Sequence, residues 1–277
     1  MTVDGGTRLA GVIGWPIAHS RSPRLHGHWL AHYKIEGAYV PLAVRPENLE
    51  AAVEGLVALG FRGANVTLPH KEQVLRLCDQ VTPRARRIGA VNTLVVKDGC
   101  VEGDNTDGFG FLENLKEANP GWRPAGPAVV LGAGGAARAI LVALLEAEVA
   151  EIRLLNRTRT RAEALADELG GTIRVMDWGD WTDALAEASL LVNTTSLGMS
   201  GQPPLEIDLS PLPASALVND IVYVPIETAL LAAARARGNA VVDGLGMLLH
   251  QARPGFEAWF GVSPEVTPAL RQAVLET

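Results

Sequence analysis

The segment Val129-Val130-Leu131-Gly132-Ala133-Gly134-Gly135-Ala136-Ala137 reads as a short apolar strand running into a G-x-G-x-x-A turn that opens a helix. Gly132 allows the tight turn, Gly134 removes a side chain where a pyrophosphate must approach, and Ala137 is small enough for helix and strand to pack closely. The helix amino terminus then offers free N–H groups to the phosphate. Such a turn alone is often only a tight βα connection, but the strand, the helix and a second βα unit together favour dinucleotide binding. About 20 residues further on, NAD-binding chains place an Asp or Glu against the ribose hydroxyl. Here that place holds Asn156-Arg157-Thr158. Arg157 and Arg161 offer guanidinium groups to a 2′-phosphate, so NADP is the expected cofactor. A solvated basic helix face would account for Arg159 and Arg153 but leaves the missing acid unexplained.

A hydride carrier needs an oxidisable substrate and a group that handles the alcohol proton. Polar segments outside the glycine turn suit that need: Gly14-Trp15-Pro16-Ile17-Ala18-His19-Ser20-Arg21-Ser22-Pro23, Asn65-Val66-Thr67-Leu68-Pro69-His70-Lys71, Gly89-Ala90-Val91-Asn92-Thr93 and Gly103-Asp104-Asn105-Thr106-Asp107-Gly108. Each sets hydroxyl, amide or charged side chains at a strand end or helix start, as a substrate with several hydroxyls and a carboxylate requires. Other chemistries fit less well. His28 and His32 lie four apart on a helix face near His26, but no Glu follows His28 and no third ligand is evident, so no metal is expected. His19 precedes Ser20, yet there is no G-x-S-x-G elbow for a hydrolase.

The elements that must carry these residues alternate between strand and helix, the pattern of βα units around a parallel sheet and hence of an α/β protein. Strands are expected at 9–14, 61–66, 128–131, 151–155, 190–193, 217–219 and 240–242, and helices at 22–33, 46–59, 107–118, 134–146 and 158–169. A hairpin is expected over Val95–Val101 around Asp98-Gly99. The chain from Leu245 onward reads as helical, the last helix capped by Thr267 with Pro268 at its first position. The apolar run Ala139–Leu145 reads as a core helix rather than an interface.

The chain has 277 residues, which favours two domains, and 48% hydrophobic against 20% charged residues excludes a disordered chain. A net charge of -7 argues against nucleic acid as a partner. Cys78 and Cys100 are too few for a disulfide framework and suit reduced thiols in the cytoplasm. Met1 to Gly6 show no basic segment followed by an apolar run, and no stretch approaches the ~18 apolar residues of a membrane span, so neither secretion nor a membrane is expected.

Taken in order, the quoted segments resemble the shikimate dehydrogenase family, and the resemblance continues through Asn193-Thr194-Thr195-Ser196-Leu197-Gly198-Met199, Asp220-Ile221-Val222-Tyr223 and Asp243-Gly244-Leu245-Gly246-Met247-Leu248 to Gln251. It covers about residues 10 to 255. Gly27, where many relatives carry a polar residue, and His70, often aromatic in relatives, depart from it. The resemblance implies reversible NADPH-dependent reduction of 3-dehydroshikimate to shikimate, a step of chorismate and aromatic amino-acid biosynthesis, by a monomer or homodimer. It makes Lys71 the acid/base with Asp107 beside it. Ser20 and Ser22 bind the substrate carboxylate, and Thr67, Asn92, Asp107, Tyr223 and Gln251 contact the carboxylate or ring hydroxyls. Ala133 to Ala136 cradle pyrophosphate, Asn156 to Arg161 (Asn156, Arg157, Thr158, Arg161) hold the adenosine phosphate end, and Thr194, Ile221, Gly244 and Met247 line the nicotinamide side. The implied fold is discontinuous: 1–104 with 244–277 form an α/β substrate domain, 105–243 a Rossmann-type NADP domain, and the site lies in a cleft between them. Alternatives are a quinate/shikimate or aminoshikimate dehydrogenase and, more distantly, a non-enzymatic NADP-binding sensor, which would need no Lys71 and Asp107 pair.

Overall fold

The structure, a computed structural model, describes residues 4–276. The expectation drawn from Met1 to Gly6 therefore lies partly outside the described residues. The chain divides into two compact units, residues 1–106 with 249–277, and Asp107–Leu248.

In the first unit β1 (Arg8–Gly14), α1 (Ser22–His32), β2 (Gly37–Ala43), α2 (Leu49–Ala58), β3 (Gly63–Val66), β4 (Gln80–Val81), α3 (Pro83–Ile88), β5 (Thr93–Lys97) and β6 (Cys100–Asp104) build a mixed six-stranded sheet of order β2-β1-β3-β5-β6-β4. β1 lies parallel to both β2 and β3, whereas β5 and β6 run antiparallel. The β5–β6 hairpin turns on Asp98 and Gly99, both at positive φ (51° and 79°), the backbone a two-residue I′ turn demands. β2 was not anticipated, and Pro41 lies within it. The strand tolerates Pro41 because it lies at the sheet edge, where one row of N–H groups has no ladder to join.

The second unit is regular. α4 (Asp107–Ala118), β7 (Ala128–Leu131), α5 (Gly135–Glu146), β8 (Ile152–Leu155), α6 (Arg159–Leu169), β9 (Ile173–Met176), α7 (Trp181–Leu185), β10 (Leu190–Asn193), β11 (Leu217–Asp220), α8 (Ala229–Ala236) and β12 (Ala240–Val242) form a parallel sheet of order β9-β8-β7-β10-β11-β12. Numbered within the unit this is 3-2-1-4-5-6, the Rossmann order. β7, β8, β10 and β11 are buried along their whole length, which explains the apolar runs Ala128–Leu131 and Leu190–Val192 and leaves Arg153 of β8 and Asn219 and Asp220 of β11 buried with them. Ala139 to Leu144 of α5 are buried within this unit, the core role expected of that run. β9, α7 and α8 were not anticipated: the first two are short, and α8 is an alanine-rich helix whose Thr228 cap accepts from Leu231 N–H.

α9 (Gly244–Phe260) begins in the second unit and continues into the first, where α10 (Pro268–Leu275) ends the chain with the expected Thr267 cap accepting from Leu270 N–H. No helix among the described residues is long and apolar enough to cross a membrane.

An aromatic cluster fills the first unit under β2 and α1. The His26 ring stacks on Tyr39 at 3.9 Å and 10°, with Trp29, Phe256 and Trp259 around it. Neither ring nitrogen of His26 has a well-aligned hydrogen-bond partner. Burial pushes the imidazole from 6.5 down to about 3, the nearby Asn65 amide opposing only in part. The fold thus accepts the neutral ring alone. Below pH 6.5 the unfolded chain takes up a proton that the folded chain refuses, so the contribution to stability is complete above that pH and is lost as pH falls towards 3. His26→Phe is expected to flatten the fall in Tm between pH 6.5 and 4 by the equivalent of about 1 kcal/mol per pH unit, read from thermal melts of the two proteins. Parallel melting profiles would show that His26 does not drive the acid loss.

Candidate active site

The first unit carries Ser20, Ser22, Thr67, Lys71, Asn92 and Gln251. β1 ends in a tight turn, and the Ser22 N–H at the start of α1 donates to Ser20 Oγ at 3.3 Å, so the two serines share one bend. Thr67 follows β3 directly, with its N–H on Ile13 O at 2.9 Å. Lys71 is half-buried, and its carbonyl accepts from Val91 N–H at 2.8 Å, which fastens the lysine segment beside Asn92. His70, a departure from the family pattern, is fully buried with Nε2 2.8 Å from Val44 O. Gly27 leaves open space where a Cβ would stand.

Asn92 is 2% exposed and its carboxamide is fully oriented. Oδ1 accepts from Thr106 N–H and from Thr93 Oγ1, each at 2.9 Å, while Nδ2 donates to Gln251 Oε1 at 3.2 Å. Thr106 Oγ1 donates to Gln251 O at 2.8 Å, so α9 is held to the same node. Asn65 Nδ2 reaches Thr93 Oγ1 and Asn92 O, both at 3.3 Å. Asn65, Thr93 and Thr106 lie in the segments quoted from the sequence, yet no site role was drawn for them; only their burial marks them. Such a network fixes hydroxyl and amide groups at strand ends.

The second unit carries the remaining predicted residues. Asp107 is the first residue of α4, is buried, and follows Thr106 in the chain. Gly132, at φ 110°, follows β7, which lies beside β10 where the sheet order reverses. A Cβ there would meet Thr194 Oγ1 at 2.7 Å, and Thr194 Oγ1 itself donates to Leu131 O at 2.7 Å. Ala133 and Ala136 are half-buried around it, and Gly134 and Gly135 have open space where their Cβ atoms would be. The free N–H groups at the start of α5 therefore offer donors to an anion. Gly244 packs against the Ile221 carbonyl, which a Cβ would approach to 2.1 Å, and Met247 is buried in the same helix.

The arginines divide by role. Arg157, after β8, is exposed and lines a cavity of about 560 Å³ with Trp178, Trp181, Leu197, Pro203 and Glu206. Neither it nor Arg161 makes an ion pair among the described residues. Asn156 Nδ2 holds the turn by donating to Thr158 O at 2.8 Å. Arg159 pairs with Glu163 at 2.8 Å and also with Asp177. Arg153 does not belong to a solvated helix face, the bland alternative for it, but lies in the strand expected at 151–155. It sits in β8, 8% exposed, paired with Glu151, and donates to the carbonyls of Asp183, Ala184 and Ala186 at the end of α7.

Asp220 organises the loop that carries Ile221 and Tyr223. Its carboxylate accepts from Thr228 Oγ1 at 2.7 Å and from Val222 N–H and Asn193 Nδ2 at 3.0 Å. Burial pushes the carboxyl above its usual range, and those three bonds oppose the shift.

A glycine turn at the switch point of a Rossmann-ordered sheet, joined in one chain to an α/β unit with a satisfied polar node, defines a two-unit protein of the dinucleotide-binding α/β class. Residues 12–94 match the Shikimate dehydrogenase substrate binding domain, 124–199 the Shikimate / quinate 5-dehydrogenase family and 244–275 the Shikimate 5'-dehydrogenase C-terminal domain. The chain belongs to the shikimate dehydrogenase family. It is 61% identical to a Shikimate dehydrogenase (NADP(+)) of Paramagnetospirillum magneticum over 99% of this chain and 100% of that one. The crystal structure of shikimate 5-dehydrogenase from Thermus thermophilus in complex with NADP(H) and shikimate superposes with a TM-score of 0.87 at 39% identity, covering 97% and 98% of the two chains. A quinate dehydrogenase from Corynebacterium glutamicum in complex with NAD gives 0.90 at 34% identity, over 97% and 99%.

Asp220→Ala leaves the Thr228 hydroxyl and the Asn193 amide without their buried acceptor and is expected to cost about 2–4 kcal/mol in denaturant unfolding. Asp220→Asn, which retains an acceptor oxygen, is expected to cost under about half of that. Equal losses in the two variants would show that the hydrogen bonds do not carry the effect.

Proposed function

We propose that this chain catalyses the reversible NADPH-dependent reduction of 3-dehydroshikimate to shikimate. The identity of 61% to a Shikimate dehydrogenase (NADP(+)) across the whole chain carries this reading. The first unit is assigned to the substrate and the second to NADP. Two features support the second assignment: open space at Gly134 and Gly135, and the exposed Arg157 and Arg161 where an acid would favour NAD.

When bound, NADPH supplies a hydride to the C3 carbonyl carbon. The negative charge that develops on the carbonyl oxygen needs a proton, and the Lys71 ammonium is the assigned donor; in the reverse direction the neutral amine accepts it. Asp107 is assigned to orient the reacting hydroxyl. Ser20 and Ser22 are assigned to the substrate carboxylate, with Thr67, Asn92, Tyr223 and Gln251 assigned to the carboxylate and ring hydroxyls. Ala133 to Ala136 are assigned to pyrophosphate, Asn156, Arg157, Thr158 and Arg161 to the adenosine phosphate end, and Thr194, Ile221, Gly244 and Met247 to the nicotinamide side.

Oxidation of shikimate with NADP, followed by absorbance of the reduced nicotinamide, tests the activity; a folded protein that turns over no shikimate would overturn it. In that assay Lys71→Met is expected to lower kcat by ~10²-fold or more with little change in shikimate KM. Near-normal turnover in the folded variant would remove Lys71 from the acid/base role. Arg157→Asp places a negative charge where the 2′-phosphate is expected, and should lower the ratio of kcat/KM for NADP to that for NAD by about tenfold or more. An unchanged ratio would mean that Arg157 does not read the phosphate.

A further inference from the structure

Tyr39 lies on β2, a strand that contributes none of the residues assigned to substrate, yet its hydroxyl is buried within the unit that holds them. Its Oη stands 2.7 Å from Asn65 Oδ1, and this is the shortest link in the buried polar set that leads to Asn92. Along the path from Tyr39 to Gln251 the direction of each bond is fixed by chemistry. Asn65 Nδ2 donates to Asn92 O and Thr93 Oγ1, so the carboxamide is turned with Oδ1 towards Tyr39, and an amide oxygen only accepts. The phenol must therefore be the donor. Thr93 Oγ1, receiving from Asn65, passes its own proton to Asn92 Oδ1 at 2.9 Å, and Asn92 Nδ2 is left to donate to Gln251 Oε1.

We propose that Tyr39 is a positioning residue for shikimate, acting through Asn65 and Thr93 to hold the Asn92 and Gln251 side chains in the orientation that receives the substrate. The inference rests on the functional reading above and extends it to a strand that reading does not use. The His26 ring, stacked face to face on Tyr39, keeps the phenol from tilting away from Asn65. Burial also pushes the Tyr39 hydroxyl well above its ordinary range, a contact with the Ser22 side chain opposing in part, so the donor keeps its proton across the working pH of the enzyme.

Tyr39→Phe keeps the ring and its stacking and removes only the donor. Wild-type protein, Tyr39→Phe, Asn65→Ala and the double variant are assayed with shikimate and NADP, with thermal melts to confirm folding. Tyr39→Phe is expected to raise shikimate KM about fivefold to tenfold, with kcat within about twofold of wild type and NADP KM unchanged. In the Asn65→Ala background the same change is expected to add much less than in the wild-type background, since the path through Asn65 is already cut and only the Ser22 contact remains to be lost. An unchanged shikimate KM in Tyr39→Phe, an equal rise in NADP KM, or a full further rise in the double variant would each overturn the inference. Failure of the wild type to oxidise shikimate is a separate result that overturns the functional reading and the inference with it.

Discussion

Asn92 Oδ1 has two lone-pair directions, and the fold fills both, one with a backbone N–H from Thr106 and one with the Thr93 hydroxyl. Because an N–H cannot accept, the carboxamide has one permitted orientation, and its amino group is aimed at Gln251. A buried donor or acceptor left unmatched costs about 1–3 kcal/mol, so any rearrangement here must break several matched pairs at once. That constraint joins four stretches distant in sequence: the end of β3 through Asn65, the start of β5 through Thr93, the exit from β6 through Thr106, and α9 through Gln251. The first unit is therefore organised by polar matching as much as by its aromatic cluster.

The second unit solves the same problem with a charge. Its central strands are buried throughout, and β10 and β11 end in Asn193 and Asp220, both fully buried. Asp220 gathers donors from the strand beside it, from its own loop and from the cap of α8, so the loop after β11 is tied to the sheet at both of its ends. Gly132 and Thr194 then fill the reversal point between β7 and β10, where any side chain on the glycine would collide with the threonine.

How much of this was legible depends on whether the signal was local. The G-x-G-x-x-A turn, the Asp98-Gly99 hairpin, the Thr267 cap and the apolar strands of the second unit are short-range statements, and the sequence displays them directly. β2 was not anticipated, and the tolerance of its Pro41 comes from the position of the strand in the sheet, which no window of residues encodes. Arg153 looked like one of four similar arginines until its neighbours across space, the carbonyls that end α7, came into view. Asn65, Thr93 and Thr106 sat in plain sight within conspicuous segments. Their shared node appears only once β3, β5, β6 and α9 are brought together, because hydrogen-bond partners up to 159 residues apart carry no local pattern.

The first unit is completed by a helix that the chain reaches late. Trp259 Nε1 donates to Leu94 O, and Gln251 closes on Asn92 and Thr106, so strands made early wait for partners encoded after residue 248. The second unit is one uninterrupted stretch, Asp107–Leu248. Domains generally fold as units, and a ribosome releases residues in order at ~5–20 per second. On that clock the interior unit has its full complement of strands first, and the unit containing the amino-terminal strand finishes last. For roughly ten seconds or more the nascent β1 to β6 segment has its sheet but not the tryptophan and phenylalanine side chains of α9 that cover its core, so a vulnerability to off-pathway pairing during synthesis belongs to the amino-terminal part of the chain rather than to its middle.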